Sequence, residues 1–99
     1  MAKLIALYKT PADTAEFDSH YFTRHIPIAK TMPGLRSYEV NDGPIGGDGP
    51  FHLAAILSFD SMADLQASLA SPEGAAAVAD LANFAQAGME LLIFETKEV

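Results

Sequence analysis

Three of the four predicted strands carry apolar residues on both of their faces, and this feature most constrains the fold. The strands are predicted at residues 3–9, 35–41, 51–59 and 89–96. In the first strand, Ile5 points to one side and Leu4 and Ala6 point to the other. Because side chains alternate between the two faces of a strand, such a strand needs cover on both sides. Only the second strand has the polar alternation that is typical of a sheet edge.

Capping patterns mark where the intervening helices begin. Asp13 and Ser61 are each followed three residues later by an acidic residue, which is the spacing of a capping box. Ser71 precedes Pro72, a residue favoured in the first turn, so a fresh helix is predicted there. This last helix is alanine-rich and is predicted to end near Gly88. The second helical region is therefore split in two.

The resulting order, β-α-β-β-α-β, predicts a ferredoxin-like α+β fold in a single domain, residues 1–99. Right-handed crossovers place both helical regions on one face of a four-stranded antiparallel sheet. The chain has no further element to cover the opposite face, and a second copy is the simplest cover. We therefore predict a homodimer through the helix-free sheet face. The glycine-rich segment 42–50 is predicted to be a flexible hairpin loop.

Candidate functional residues concentrate in the first helix and its exit, residues 17–34. At 100° per residue, Phe17, Tyr21 and Arg24 share one stripe. His20 falls on one flank of this stripe and His25 on the other. Proline at position 27 has no N–H and crowds the preceding turn, so the helix is predicted to end or kink near His25. A side chain at such a break can face a cavity above the sheet.

The two histidines also admit other interpretations. Residues five apart stand ~140° apart around an ideal helix, whereas helical metal ligands use spacings of three or four, so no metal site is predicted. Histidines on helix flanks are often half-buried surface groups without a function. His52, on the third strand, is expected to have a cross-strand packing role.

Composition excludes several classes of partner. The net charge of −7 repels nucleic acid and anionic lipid surfaces. The absence of cysteine excludes a disulfide framework, a thiol nucleophile and a cysteine-based zinc site. The N-terminal apolar run is too short for a secretory signal and no stretch reaches membrane-spanning length, so a cytoplasmic protein is expected.

The run His20-Tyr21-x-x-x-His25-x-Pro27-x-Ala29, followed by Pro33-Gly34-Leu35 and Tyr38, resembles the EthD-like family of small dimeric α+β barrel proteins. The resemblance covers most of the chain except segment 42–50. It implies a dimeric α+β barrel and an association with oxidative ether breakdown, that of ethyl tert-butyl ether in particular. Among the polar residues, it favours roles for Tyr8, His20 and His25.

These observations predict a cleft between the first helix and the sheet that binds a small apolar catabolite. His25 is the expected catalytic group because imidazole exchanges protons near neutral pH. The expected ligand-binding residues are Tyr8, His20, Tyr21 and Tyr38. Three functions remain open: cofactor-free oxidation or proton transfer, in the manner of small monooxygenases and muconolactone isomerases; a non-catalytic binding protein of the degradation pathway; and a structural dimer with a vestigial cleft.

Overall fold

The computed structural model describes all residues, Met1–Val99, and has the predicted ferredoxin-like α+β architecture. Four antiparallel strands form one sheet in the order β2-β3-β1-β4, with the helices packed on one face. The strands are β1 (Ala2–Lys9), β2 (Leu35–Val40), β3 (Phe51–Phe59) and β4 (Met89–Glu95). As predicted, β2 lies at an edge, whereas β1 and β3 are central.

The register separates two apolar faces of the sheet. Leu4, Ala6 and Tyr8 of β1 lie opposite Leu57, Ala55 and Leu53 of β3, and all six are buried beneath the helices. The other face, which we call the helix-free face, contains Lys3, Ile5, Leu7, Ala54, Ile56, Leu92 and Phe94. Leu92 and Phe94 of the edge strand are 48% and 45% exposed, respectively, on this face.

Side-chain caps begin the helices as the sequence predicted. The helices are α1 (Thr14–His20), α2 (Ile26–Ala29), α3 (Met62–Ala70) and α4 (Pro72–Asp80). Asp13 accepts a hydrogen bond from the Glu16 N–H at the start of α1, and Ser61 accepts one from the Asp64 N–H at the start of α3. Ser71 caps α4 by accepting from the Gly74 N–H. These bonds satisfy N–H groups that have no partner inside the helix.

The sequence predicted that the first helix would end or kink near His25, and the structure shows an irregular turn there, not an end. A π-helical segment, Tyr21–His25, joins α1 to α2, and the Ile26 N–H donates to the Tyr21 carbonyl five residues earlier. A widened turn of this kind is one way in which a helix accommodates a proline such as Pro27. The helix therefore continues past the proline to Ala29.

The widened turn also changes which residues face the core. Positions Phe17, Tyr21, His25 and Ala29 are buried, at intervals of four residues. In a regular α-helix each interval of four drifts by ~40°, and the wider turn offsets part of that drift. Arg24, which the 100° spacing placed on one stripe with Phe17 and Tyr21, is exposed.

The alanine-rich helix ends earlier than predicted. α4 stops at Asp80 and is followed by a 3₁₀ turn, Leu81–Asn83, and by an irregular segment to Gly88. Gly88 has a φ of +105°, a left-handed conformation that suits glycine. This ending places Asp80, Asn83 and Phe84 beside the first helix.

No helix of the structure is both long and apolar enough to cross a bilayer.

We predict that Gly74→Ala will destabilise the fold, because a Cβ there would collide with the backbone carbonyl oxygens of Ser68 and Leu69. Forcing a methyl group into such a contact typically costs ~1–3 kcal/mol. Urea unfolding of the variant should therefore show a lower midpoint. Gly46→Ala is the matched control, since nothing lies within 4 Å of its added Cβ. Equal midpoints for the two variants would contradict the close approach of α3 and α4.

Candidate functional site

An apolar cleft lies between the sheet and the helices, with a cavity volume of about 70 Å³. Sixteen residues line it, of which 14 are hydrophobic, and none is a lysine, arginine, aspartate or glutamate. Residues of all four strands form its floor, and α2, α4 and neighbouring residues form its walls. Val78 and Leu91 are exposed lining residues and mark its open side, between α4 and β4. Met32 and Met89 also line it, and methionine side chains repack easily.

His25 reaches this cleft from the π-helical segment. Its side chain is only 6% exposed, and its Nδ1 lies 2.9 Å from Oδ2 of Asp80. Since an ionised carboxylate can only accept hydrogen bonds, Nδ1 is the donor. The other ring nitrogen, Nε2, has no hydrogen-bond partner within the chain. His25 therefore lines an apolar cavity with one nitrogen engaged and one available.

Asp80 at the end of α4 joins several polar groups. His20 Nε2 lies 3.0 Å from its Oδ1, and Asn83 Nδ2 donates to the same oxygen at 2.9 Å. Burial by itself would raise the pKa of Asp80, but the hydrogen bonds from Asn83, His25 and His20 outweigh it and hold the pKa below its ordinary value. Asp80 is therefore an anion at neutral pH.

The charge state of His25 follows from opposing effects. Burial lowers its pKa below the ordinary value of 6.5, and this outweighs the hydrogen bond and charge of Asp80, which raise it. The imidazole is therefore neutral at pH 7. With Nδ1 carrying the proton, Nε2 has a free lone pair and can accept one.

The prediction that His20 and His25 lie on opposite flanks of the helix was wrong, because both contact the same carboxylate. The π-helical turn between them rotates His25 back towards His20. Only His25 lines the cleft, whereas His20 lines a separate polar groove between the first helix and residues 83–87.

No group of three or more histidine, aspartate or glutamate side chains is arranged to hold a metal ion.

Three tyrosines form the polar end of the site. The hydroxyls of Tyr21 and Tyr38 are 2.6 Å apart, and the Tyr8 and Tyr21 ring centroids are separated by 5.4 Å. Tyr8 and Tyr38 line the cleft, whereas Tyr21 lies fully buried outside its lining. Desolvation is the main cause that raises the pKa of each phenol above its ordinary value. All three hydroxyls stay protonated, and one of the Tyr21 and Tyr38 hydroxyls donates its hydrogen to the other.

Asp80, Asn83 and Phe84 were missed in the sequence. The Phe84 ring lies with its centroid 4.7 Å from that of His25 and 5.2 Å from that of His20. One sequence signal could have identified Asp80. A carboxylate in the last turn of a helix is unfavourable next to the negative end of the helix dipole, so its presence there calls for another explanation. Asp80 occupies such a position, and Asn83 follows it at the spacing of three that lets side chains meet.

His52 lies outside the cleft. Its Nε2 is 2.7 Å from Oδ1 of Asp18, and its ring packs edge-on against Phe17. A register irregularity between Tyr8 and Lys9 leaves His52 out of the β1 pairing. His52 therefore has a packing role, but it packs against the first helix and not, as expected, against a neighbouring strand.

Residues 9–88 match the EthD domain family. An uncharacterised 11.0 kDa protein from the region between thcB and thcC of Rhodococcus erythropolis is 35% identical over 101 residues, which span 100% of this chain and 98% of that protein. A solved EthD-family structure from Bacillus halodurans is 37% identical with a TM-score of 0.88, over 98% of this chain and 99% of the other.

More distant structures share the fold. SnoaB, a cofactor-independent oxygenase from Streptomyces nogalater, has a TM-score of 0.70 at 16% identity, over 99% of this chain and 94% of its own. A dimeric ferredoxin-like protein of unknown function from Thermobifida fusca has a TM-score of 0.73 at 19% identity, over 96% and 90% of the two chains. Given the domain match and the two relatives above 30% identity, this chain belongs to the EthD family.

Proposed function

We propose that this chain is a homodimeric enzyme that binds a small, neutral, apolar catabolite of a degradation pathway in the cleft and acts on it without a cofactor. His25 is the acid–base group, and the chemistry is proton transfer, alone or followed by oxidation. The observation that carries the proposal is the unpaired Nε2 of a neutral, buried His25 at an otherwise apolar cavity. A base desolvated in this way is suited to removing a proton from a weakly acidic C–H or O–H group.

The lining of the cleft favours neutral substrates over anionic ones. It contains no lysine or arginine that could neutralise a carboxylate or phosphate. The nearest ionised group behind His25 is the anion Asp80, and the net charge of the chain is −7. Moving an anion into this cavity would be costly because the cavity offers no compensating charge. Phenols, ketones and uncharged lactones fit better than carboxylate-bearing lactones.

The tyrosines would orient such a substrate. The protonated hydroxyls of Tyr8 and Tyr38 can donate hydrogen bonds to a carbonyl or phenolic oxygen and stabilise negative charge that develops there. After His25 takes the proton, the substrate anion can regain it at another carbon, which is isomerisation. Alternatively, the anion gives one electron to O₂, the substrate radical and superoxide combine in a new C–O bond, and the peroxide so formed takes the proton back from His25. SnoaB is an oxygenase that needs no cofactor and shares this fold, which makes the second route the preferred one.

One observation favours a second candidate, a structural dimer with a vestigial cleft. The cavity, at about 70 Å³, is under half the ~150 Å³ of an engineered protein cavity that binds benzene. A bound substrate would therefore have to displace side chains such as Met32 and Met89 or project through the open side. Binding without turnover, as in an accessory protein of the same pathway, would need the same adjustment.

The proposed dimer uses the helix-free face. This face is apolar but also carries Lys3, Glu39 and Glu90, so its charges can pair across a twofold axis. Solved neighbours with this fold from Thermobifida fusca and Bacteroides fragilis are dimeric, which supports the same state here. Sheet-on-sheet packing of two copies would bury Leu92 and Phe94.

Light scattering of the wild-type chain at micromolar concentration should give about twice the chain mass of 10.5 kDa. Phe94→Lys should reduce that mass towards one chain, because it places a charge in the proposed interface. Phe22→Lys is the matched control: Phe22 is 49% exposed, close to the 45% of Phe94, but lies on the helical side. A soluble wild-type monomer, or equal loss of mass in both variants, would exclude this interface.

We predict that His25→Ala will abolish ligand binding while the protein stays folded and dimeric. The stability cost should be about 1–2 kcal/mol, since Asp80 keeps its bonds to His20 and Asn83. A thermal-shift screen should compare neutral aromatics and lactones with carboxylates of matched size, such as phenol with benzoate. The wild-type protein should respond only to the neutral members.

His52→Ala is the control for this experiment, because His52 also bonds an aspartate but does not line the cleft. It should bind ligand like the wild-type protein. A His25→Ala variant that still binds would refute the role of His25. If no neutral compound shifts the melting temperature of the wild-type protein, the vestigial-cleft alternative is preferred.

A further inference from the structure

We infer that Asp80 is a positioning residue for His25: it fixes the imidazole, which lines the cleft, in the tautomer that leaves Nε2 without a proton, and it is itself held by His20 and Asn83. The contact between Asp80 Oδ2 and His25 Nδ1 is 2.9 Å, and both side chains are almost entirely buried. The tautomer of a histidine is set by the hydrogen bond that its other nitrogen makes. The His25 side chain makes no other hydrogen bond within the chain.

The carboxylate is held from two sides. His20 Nε2 contacts Oδ1 and Oδ2 at 3.0 and 3.1 Å, and Asn83 donates to Oδ1 at 2.9 Å. The donors come from the first helix and from the 3₁₀ turn after α4, so Asp80 cannot rotate away from His25 without breaking bonds to two other elements. The ring of Phe84 packs against the rings of both histidines.

Local helix stability does not account for Asp80. A carboxylate in the last turn of a helix is unfavourable next to the negative end of the dipole. Burying it adds a desolvation cost that only good hydrogen bonds offset. Both costs are incurred at the one position whose side chain hydrogen-bonds to the His25 ring, which points to a role for the carboxylate in orienting that ring.

His20 is the partly exposed member of this hydrogen-bonded group. Its side chain is 21% exposed and lines the polar groove, which is separate from the cleft. The titratable groups that face His25 are Asp80 on α4, His20 on α1, and the three neutral tyrosines, Tyr8, Tyr21 and Tyr38. Asp80 favours a proton on His25 and a charged His20 opposes it. The two neighbours therefore act on the proton affinity of His25 in opposite directions.

The catalytic role of His25, and hence of Asp80, rests on the proposed function. The tautomer of His25 does not rest on it and can be measured without a ligand. Nitrogen-15 NMR of the wild-type protein should show His25 as the neutral Nδ1–H form at pH 7. In a pH titration, Asp80→Asn should lower the midpoint of His25, because the charge that favours its protonation is gone. His20→Gln should raise that midpoint. His52→Gln, the control on the separate Asp18 pair, should leave it unchanged.

Several results would overturn the inference. One is an Nε2–H tautomer of His25 in the wild-type protein, which decides the matter even if Asp80→Asn does not fold. Another is an unchanged His25 midpoint in folded Asp80→Asn, or a His52→Gln effect of the same size. Failure of every ligand in the thermal-shift screen, with the tautomer and midpoints as expected, would instead count against the proposed function and leave the positioning role of Asp80 intact.

Discussion

The structure depends on one shared carboxylate, Asp80, which ties the first helix to the last. It accepts hydrogen bonds from His20 and His25 although these histidines are five residues apart. A regular α-helix would direct them ~140° apart, so the shared contact requires the π-helical turn between them. The same turn places Tyr21, His25 and Ala29 against the sheet at intervals of four. The buried face of the first helix and the geometry of the site thus both depend on this one local irregularity.

The surroundings of the site decide what chemistry it can support. Burial keeps His25 neutral and the three tyrosines protonated, so the cleft contains one base and several hydrogen-bond donors but no cation. Such a site can accept a proton and stabilise charge on an oxygen, but it cannot neutralise an anionic substrate. Proteins with this fold have different functions, so the fold alone says little about the reaction. The neutral base, the hydroxyl donors and the absence of a cation in the cleft restrict the possible reactions more than the strand order does.

The second constraint is the helix-free face. All of the helical segments of the chain cover one face of the sheet and none covers the other, and β4 exposes apolar side chains at the sheet edge. Exposed apolar area of this kind is unusual for a monomer and is typical of an interface. The proposed dimer follows from this imbalance and leaves the cleft on the opposite face of each sheet.

The sequence by itself determined the architecture. Two-sided apolar strands, the caps at Asp13, Ser61 and Ser71, and the order of elements were sufficient for the ferredoxin-like sheet, since each rests on short-range periodicity or on local hydrogen bonds. The sequence also singled out His25, Tyr8, Tyr21 and Tyr38, which the fold does bring together. What only the tertiary structure decided was the partnership of His25: Asp80 lies 55 residues away, and its contact depends on how the wide turn and the end of α4 meet in space. No local pattern specifies a contact between elements so distant along the chain, because their packing sets both its distance and its direction.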